Sequence, residues 1–561
     1  MNYRILVAVA ALLLIIYVYL RGKENAKKLS ALNYWYVALL FSFYPLIFSP
    51  IQGYYAMGIF KCRIWAIMTI CLVLCDGFVL ISKGKELALF KGFSFNAIDI
   101  AMLVFLLTQT ISFCVAKDKK LALVGAEGWY TGLLFQYGIV LIYFSVSRFL
   151  RVDMRLVRVI LVSAMIVFAI GILHRFLIDP IGIYGSLSEN EYVRFLSTIG
   201  QATWYSAYLC VIFPLGLHIF LFGEKRVLAG AFLFLSAATL VTQNSDTAYG
   251  AFFVIMVVYL YKVITDRDLD MAIDFCEAEG ADCGMLNWIK GRCAMTRYGQ
   301  AVVIMSAAIM CIGALERAFA GHMPVLDDLS LKLAQGYIPV IGIIAGVILM
   351  LAGEVVRGGK KFVGDSKLFG RGGKQFYGGS KQFGRGDNQF DRGGKKFGVG
   401  LLIFVVIVII VTLVGISFAR NNAGELYFSW GRDWGNGRGL IWTRTMQMYA
   451  DLPFINKIFG VGQGHFYEYI SGYTELVLAN AHNEWLTMLV ESGIVGGVSY
   501  LTLFIATIIV LVRGDRPVNE FAIRHLKFAI AVTILAYIVH GMFNYQQCIS
   551  TPMIFALIAS S

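Results

Sequence analysis

Apolar residues fall into long unbroken blocks along this chain, divided by polar segments that are short except in three places. A helix needs about 20 apolar residues to cross a bilayer. Blocks of that order occupy 4–20, 34–50, 64–82, 96–116, 130–147, 156–178, 203–222, 228–242, 247–264, 299–319, 338–353, 399–418, 485–512 and 526–545, with a short apolar tail at 549–561. Hydrophobicity that is continuous rather than alternating excludes a membrane β-barrel. The pattern predicts an all-α polytopic membrane protein of about 12–14 transmembrane helices, with a large extracytoplasmic helical loop between two late spans. Residues 1–20 have the apolar content of a signal peptide but no small-residue cleavage site, so they read as a retained first span.

Composition agrees and adds an orientation. Of 561 residues, 58% are hydrophobic and 15% charged, with a mean hydropathy of +0.72, well outside the globular range. With the N-terminus outside, the inner loops hold 33 of the 48 Lys and Arg residues, as the positive-inside rule requires. Lys117, Lys119 and Lys120 fall on the minority side. The net charge of +13 resembles a nucleic-acid signal, but segment 357–398 alone supplies +8 of it. The rest is ordinary loop charge, and no nucleic-acid partner is expected. Cys276, Cys283 and Cys293 have six and nine residues between them, which fits no zinc-site spacing. The ten cysteines read as reduced thiols, and neither a metal nor a cofactor is expected.

The chain divides into membrane helices at 1–356, a low-complexity segment at 357–398 and a C-terminal region at 399–561. An acidic insertion at about 265–298 shows no chemistry. In 357–398, Phe362, Phe369, Phe376, Phe383, Phe390 and Phe397 recur every seven residues. One Phe per unit cannot form a coiled-coil seam, and the glycines disfavour helix. The segment reads as disordered, basic and aromatic. On the opposite side lie 179–202, the connection Gln243-Asn244-Ser245-Asp246, and 419–484. The last is too long for a simple connector, and its Trp, Tyr and Phe content predicts an ordered cap against the membrane.

Candidate chemistry gathers on that side. Arg438 to Tyr449 reads as a helix ending before Pro453, with Arg438, Trp442, Met446 and Tyr449 on one face. Guanidinium keeps its charge and binds phosphate in a bidentate way, which suits an anionic lipid head group. Pairing of Arg438 with Glu425 or Asp433 is the structural alternative. Gly460-Val461-Gly462-Gln463-Gly464 lacks the strand of a dinucleotide site and reads as a turn. Asn480 is a plausible cap for the helix that becomes span 485–512, and His482 stands at that helix's positive end. There it can act as general base or as donor to a phosphate. Arg194, Asn244, His174, Arg175, His540 and Asn544 also fall near outer helix ends, and polar groups at membrane depth tend to mark function.

In order along the chain, Arg194, Arg438 with Trp442, Pro453 to Gly464, His482-Asn483, and Glu491 with Gly493 and Gly496 resemble the O-antigen ligase and polymerase superfamily of membrane glycosyltransferases. The resemblance implies a metal-independent, inverting enzyme in the bacterial cytoplasmic membrane, acting at its outer face. It transfers or extends a polyprenyl-diphosphate-linked glycan onto a hydroxyl acceptor on a glycan or glycolipid. Arg194 and Arg438 would hold the diphosphate, and His482 would position or deprotonate the acceptor. Trp442, Asn480, Asn483 and Asn244 would line the substrate site. A lipid-linked oligosaccharide flippase is the rival from another class; it predicts two related halves, and the candidate residues instead crowd one face.

Overall fold

The computed structural model describes residues 25–49, 53–54, 56–83, 95–150, 154–188, 191–192, 194–223, 226–265, 294–326, 328–369, 434–513 and 521–560. The expected spans 4–20 and 399–418, most of the acidic insertion, and Glu425 and Asp433 lie outside these residues.

The apolar blocks that are described all become helices. They are α1 (Asn25–Ala38, extended through a π-helical turn to Leu46), α2 (Met57–Lys83), α3 (Ala97–Val115), the short α4 (Lys119–Val124), α5 (Leu133–Phe149) and α6 (Met154–Arg175). A two-residue hairpin, β1 (Phe195–Leu196) with β2 (Gly200–Gln201), leads into α7 (Ala202–Phe222). Then come α8 (Arg226–Thr242), α9 (Thr247–Thr265), α10 (Ala294–Ala318), α11 (Asp328–Gln335) and α12 (Ile338–Phe369). The cap holds α13 (Trp434–Asp451), α14 (Phe454–Phe459) and α15 (Phe466–Ile470), and α16 (Glu484–Arg513), α17 (Phe521–Gly541) and α18 (Ser550–Ala559) close the bundle. Seven described helices are long and apolar enough to cross a bilayer, or eight if the pair Leu329–Gln335 and Ile338–Glu354, bent by 57°, is one span. Helix α12 runs on through Phe369, so the beginning of the phenylalanine repeat is helical; residues 370–398 lie outside those described.

Burial shows which faces meet lipid. On α2, Ile70, Leu74 and Phe78 are exposed at helical spacing, whereas Trp65, Leu72 and Val79 pack inward, the inverse of a soluble helix. Helix α7 is the centre, buried along nearly its whole length. Small residues let helices close up where α10 meets α12: a Cβ on Gly299 would stand 2.5 Å from the Gly346 carbonyl, the close approach expected of membrane helices.

Helix ends fall on two faces. At one, Asn96 caps α3 in a reciprocal box with Asp99, which pairs with Arg148 at 2.7 Å, Asn33 meets Asp76, and Arg226 meets Gln300. At the other, Arg175 makes a two-pronged pair with Glu316, Asp118 N–H donates to His465, and Thr203, Asn544 and Tyr545 meet. The cap sits on this second face. Lys119 also lies there, its ammonium bonded to the carbonyls of Phe113, Cys114 and Ala116 at 2.6–3.0 Å. It is held by the negative end of α3, a local reason for a lysine on the minority side of the charge count.

Candidate active site

Helix α13 forms as its sequence predicts, but its buried stripe is Ile441, Thr445 and Met448, continued by Leu452 just past its end; Met446 is 46% exposed. The stripe rests on Val461, Phe466, Ile470, Ala481 and Val490, so the cap is an ordered layer with its own small core. Trp442 fixes it to the bundle: its Nε1 donates to the Ala481 carbonyl at 3.2 Å and its ring stacks on Phe543 at 6.1 Å.

The glycine-rich segment serves that attachment. Helix α16 breaks at Gly493 (φ 68°, ψ −177°), and the break frees carbonyls that the glycine loop satisfies. Val461 N–H bonds to the Val490 carbonyl at 3.1 Å and Gly462 N–H to the Glu491 carbonyl at 3.0 Å, while Gly464 N–H reaches the Glu491 carboxylate at 2.9 Å. Gly460 to Gly464 and Glu491 to Gly493 therefore form one clasp. They hold the cap in place and are spent on backbone contacts.

Above the clasp, α16 begins. Its cap is Asn483, whose side chain accepts from Trp485 N–H at 3.0 Å and Leu486 N–H at 3.1 Å. Asn480 instead accepts from His482 N–H at 2.9 Å and closes the preceding turn. The sequence reading thus placed the cap three residues early; Asn483 has the side chain in register with the free N–H groups of the first turn. Two residues after His482, buried Glu484 accepts from Tyr500 at 2.5 Å and Tyr537 at 3.1 Å. That ties the start of α16 to α17.

His482 is held in the left-handed region, φ 48°, which is uncommon for a residue with a Cβ. Its ring meets Tyr545 edge-on at 5.7 Å, and its nitrogens accept no hydrogen bond among the described residues. Burial, then the charge of Arg438, lowers its pKa to about 4, so the imidazole is neutral at physiological pH. Stability linked to this group is present above the ordinary imidazole value and declines as pH falls towards 4, because only the unfolded chain then takes up the proton. Arg438→Ala is expected to raise the His482 pKa, and a histidine hydrogen–deuterium exchange titration would show it; an unchanged value would remove Arg438 from the imidazole's surroundings. Left-handed strain costs about 1–2 kcal/mol. His482→Gly is therefore expected to melt higher than His482→Ala, with equal melting pointing to a relaxed turn.

Arg438 lies close by. Its Nη1 donates to the Gly435 carbonyl at 2.8 Å and its Nη2 to the Phe543 carbonyl at 3.3 Å, whereas Nε is buried without an acceptor among the described residues. Burial works against its charge, and Asp246 and Tyr545 favour it. Behind it, hydrogen bonds run from Asn544 to His540, Ser206, Thr247 and Ser245, the last three links each 2.8 Å. They join α17, α7 and α9 under the site.

Arg438, Trp442, Asn480, His482 and Asn483 are brought together as the sequence suggested. Arg194 is not among them. It is exposed at the base of the hairpin, with its carbonyl accepting from Ala202 N–H at 2.8 Å. Asn244, half-buried in a left-handed turn (φ 52°), is represented near Arg438 by its neighbour Asp246. Sequence reasoning missed Tyr545, which accepts from Trp204 Nε1 at 3.2 Å and donates to Gln201 at 2.7 Å. The polar run from Asn544 to Gln547 after a span was the available signal. Glu425 and Asp433 are outside the described residues.

Residues 388–501 match the family described as O-antigen ligase. The chain carries an O-antigen ligase domain. The match takes in Arg438, Trp442, Asn480, His482 and the whole glycine clasp, and on a multi-pass helical protein it supports a membrane glycan ligase or polymerase. It begins inside the phenylalanine repeat and ends within α16, so Ser206, Asp246, His540 and Tyr545 reach the site from helices and turns outside the matched residues. No curated protein and no solved structure matches the chain.

Proposed function

We propose that the protein is an inverting glycosyltransferase of the bacterial cytoplasmic membrane, acting at the outer face on a polyprenyl-diphosphate-linked glycan. The observation that carries this reading is the pairing of a half-buried guanidinium, bonded among the described residues to neutral carbonyls and with Nε left without an acceptor there, with a neutral imidazole whose nitrogens make no hydrogen bond among the described residues. Among the described residues such a guanidinium has Asp246 nearby but no anion bonded to it, and a diphosphate leaving group supplies one.

In the step this predicts, an acceptor hydroxyl attacks the anomeric carbon from the face opposite the diphosphate. The carbon–oxygen bond to the diphosphate breaks and the lipid diphosphate leaves with the electron pair. The hydroxyl proton passes to His482. Positive charge at the leaving oxygens comes from Arg438, and the reading calls on no metal ion. A free-protein pKa of about 4 makes His482 a weak base, but a diphosphate bound beside Arg438 opposes that lowering and brings the imidazole towards the useful range. The outer-face assignment follows from the charge count, which puts the cap side opposite the Lys/Arg-rich loops. Arg194, exposed at the hairpin, would meet the donor at the rim.

The test is release of polyprenyl diphosphate from purified protein in nanodiscs given lipid-linked glycan and crude acceptor, with and without chelator. Release that persists in folded His482→Ala and Arg438→Ala would sink the reading, as would transfer that stops on chelation. Arg194→Ala is expected to raise the donor KM and leave kcat within a few-fold, measured in the same assay; a kcat loss as large as that of Arg438→Ala would put Arg194 at the reacting centre.

A further inference from the structure

A cavity of about 830 Å³ lies beside the site just described, and neither Arg438 nor His482 lines it. It opens between the start of α2, the loop before α5, the hairpin and the start of α7, and its volume is that of a built ligand site, about 300–1,000 Å³. Trp129 and Trp204 line it, with Gln201 between hairpin and helix; the charged residues on its wall are Arg63 and Glu127, one of each sign.

Its inner wall is shared with the candidate active site. Trp129 packs edge-on against Tyr545 at 4.3 Å and against Trp204 at 5.9 Å. Trp204 Nε1 and Gln201 Oε1 both bond to the Tyr545 hydroxyl. The other side of Tyr545 carries His482 at 5.7 Å. One phenol ring therefore separates the cavity from the proposed base.

We infer that this cavity binds the acceptor, and that the acceptor is a glycan without net charge at the end it presents. The inference rests on the proposed transfer reaction. Indole rings suit sugar faces, whose C–H bonds carry slight positive charge and meet the negative π face. Amide and carboxylate groups among such rings provide the few polar contacts that set orientation. The donor is a poor occupant, because its diphosphate needs Arg438, which is absent from the wall. A polyanionic acceptor is disfavoured as well, since Arg63 is matched on the wall by Glu127.

The test uses steady-state transfer by the full-length protein in nanodiscs, with envelope glycans split by anion exchange into neutral and anionic pools as acceptors. Trp129→Leu removes a stacking surface, and Ile59→Trp fills the cavity from its α2 wall. Each is expected to raise the acceptor KM about tenfold or more, the scale of one aromatic contact, with the donor KM unchanged. Trp129→Phe should recover most of the loss, and the neutral pool should be the one consumed. An unchanged acceptor KM in both folded variants, a rise in donor KM instead, or transfer to the anionic pool alone would overturn the inference. Wild-type protein that releases no lipid diphosphate would instead fail the transfer reaction itself.

Discussion

Arg438→Ala is expected to reduce release of lipid diphosphate by about 10²–10³-fold, the usual consequence of removing one preorganised donor from a developing negative charge. The guanidinium needs no rearrangement to act. It is placed by carbonyls on α13 and on the segment after α17, and its Nε is buried without an acceptor among the described residues. Because those partners are neutral, alanine leaves no buried carboxylate bonded to a missing group, and the fold should survive. Asp246, which favours the charge of Arg438 electrostatically, would lose a counter-charge, so a small drop in melting temperature is expected alongside the large drop in rate. Arg438→Lys should recover little, since an ammonium cannot reproduce the planar fork. Rates within a few-fold of wild type in folded Arg438→Ala would remove this residue from the chemistry.

The second large effect is structural. Gly493→Ala is expected to cost at least about 3 kcal/mol, because its dihedrals lie in a region essentially restricted to glycine. A Cβ there would also stand 2.2 Å from the Ile458 carbonyl. Gly460 faces it in the same kind of conformation, φ 86°, with its own Cβ position 2.1 Å from the Glu491 carbonyl. Both substitutions push the same two backbone segments apart, so the double variant should be less destabilised than the sum of the singles. Thermal melting in detergent would check this. Strict additivity would mean that the two glycines do not share one contact. Since the clasp orients the cap that carries Arg438 and Trp442, surviving Gly493→Ala protein should also lose transfer.

These two residues show how legibility differed along the chain. Arg438 could be picked out by residue type, because a permanent cation in an aromatic amphipathic stretch beside a membrane has few uses. Gly493 and the Gly460–Gly464 segment could be seen but not understood. Their meaning lies in a contact between segments about thirty residues apart in sequence, which no local pattern reports. Asn480 and Asn483 compete for one capping role, and a shift of three residues in register decided between them. Arg194 was grouped with Arg438 by chemistry alone, whereas the hairpin leaves it exposed at the edge of the large cavity whose wall includes Phe195 and Gln201.

The sequence by itself determined the helical membrane class, the boundaries of most spans, the α13 helix, and the face on which the polar residues gather. Each follows from hydrophobic block length and from the cost of unpaired backbone in lipid, which are local properties of the chain. Only the tertiary structure decided that Tyr545, His540, Ser206 and Asp246 stand with His482 and Arg438, and that a cavity adjoins them behind one aromatic ring. Those groups come from helices and turns spread over residues 206–545, and their meeting depends on how the bundle packs, which composition and periodicity do not encode.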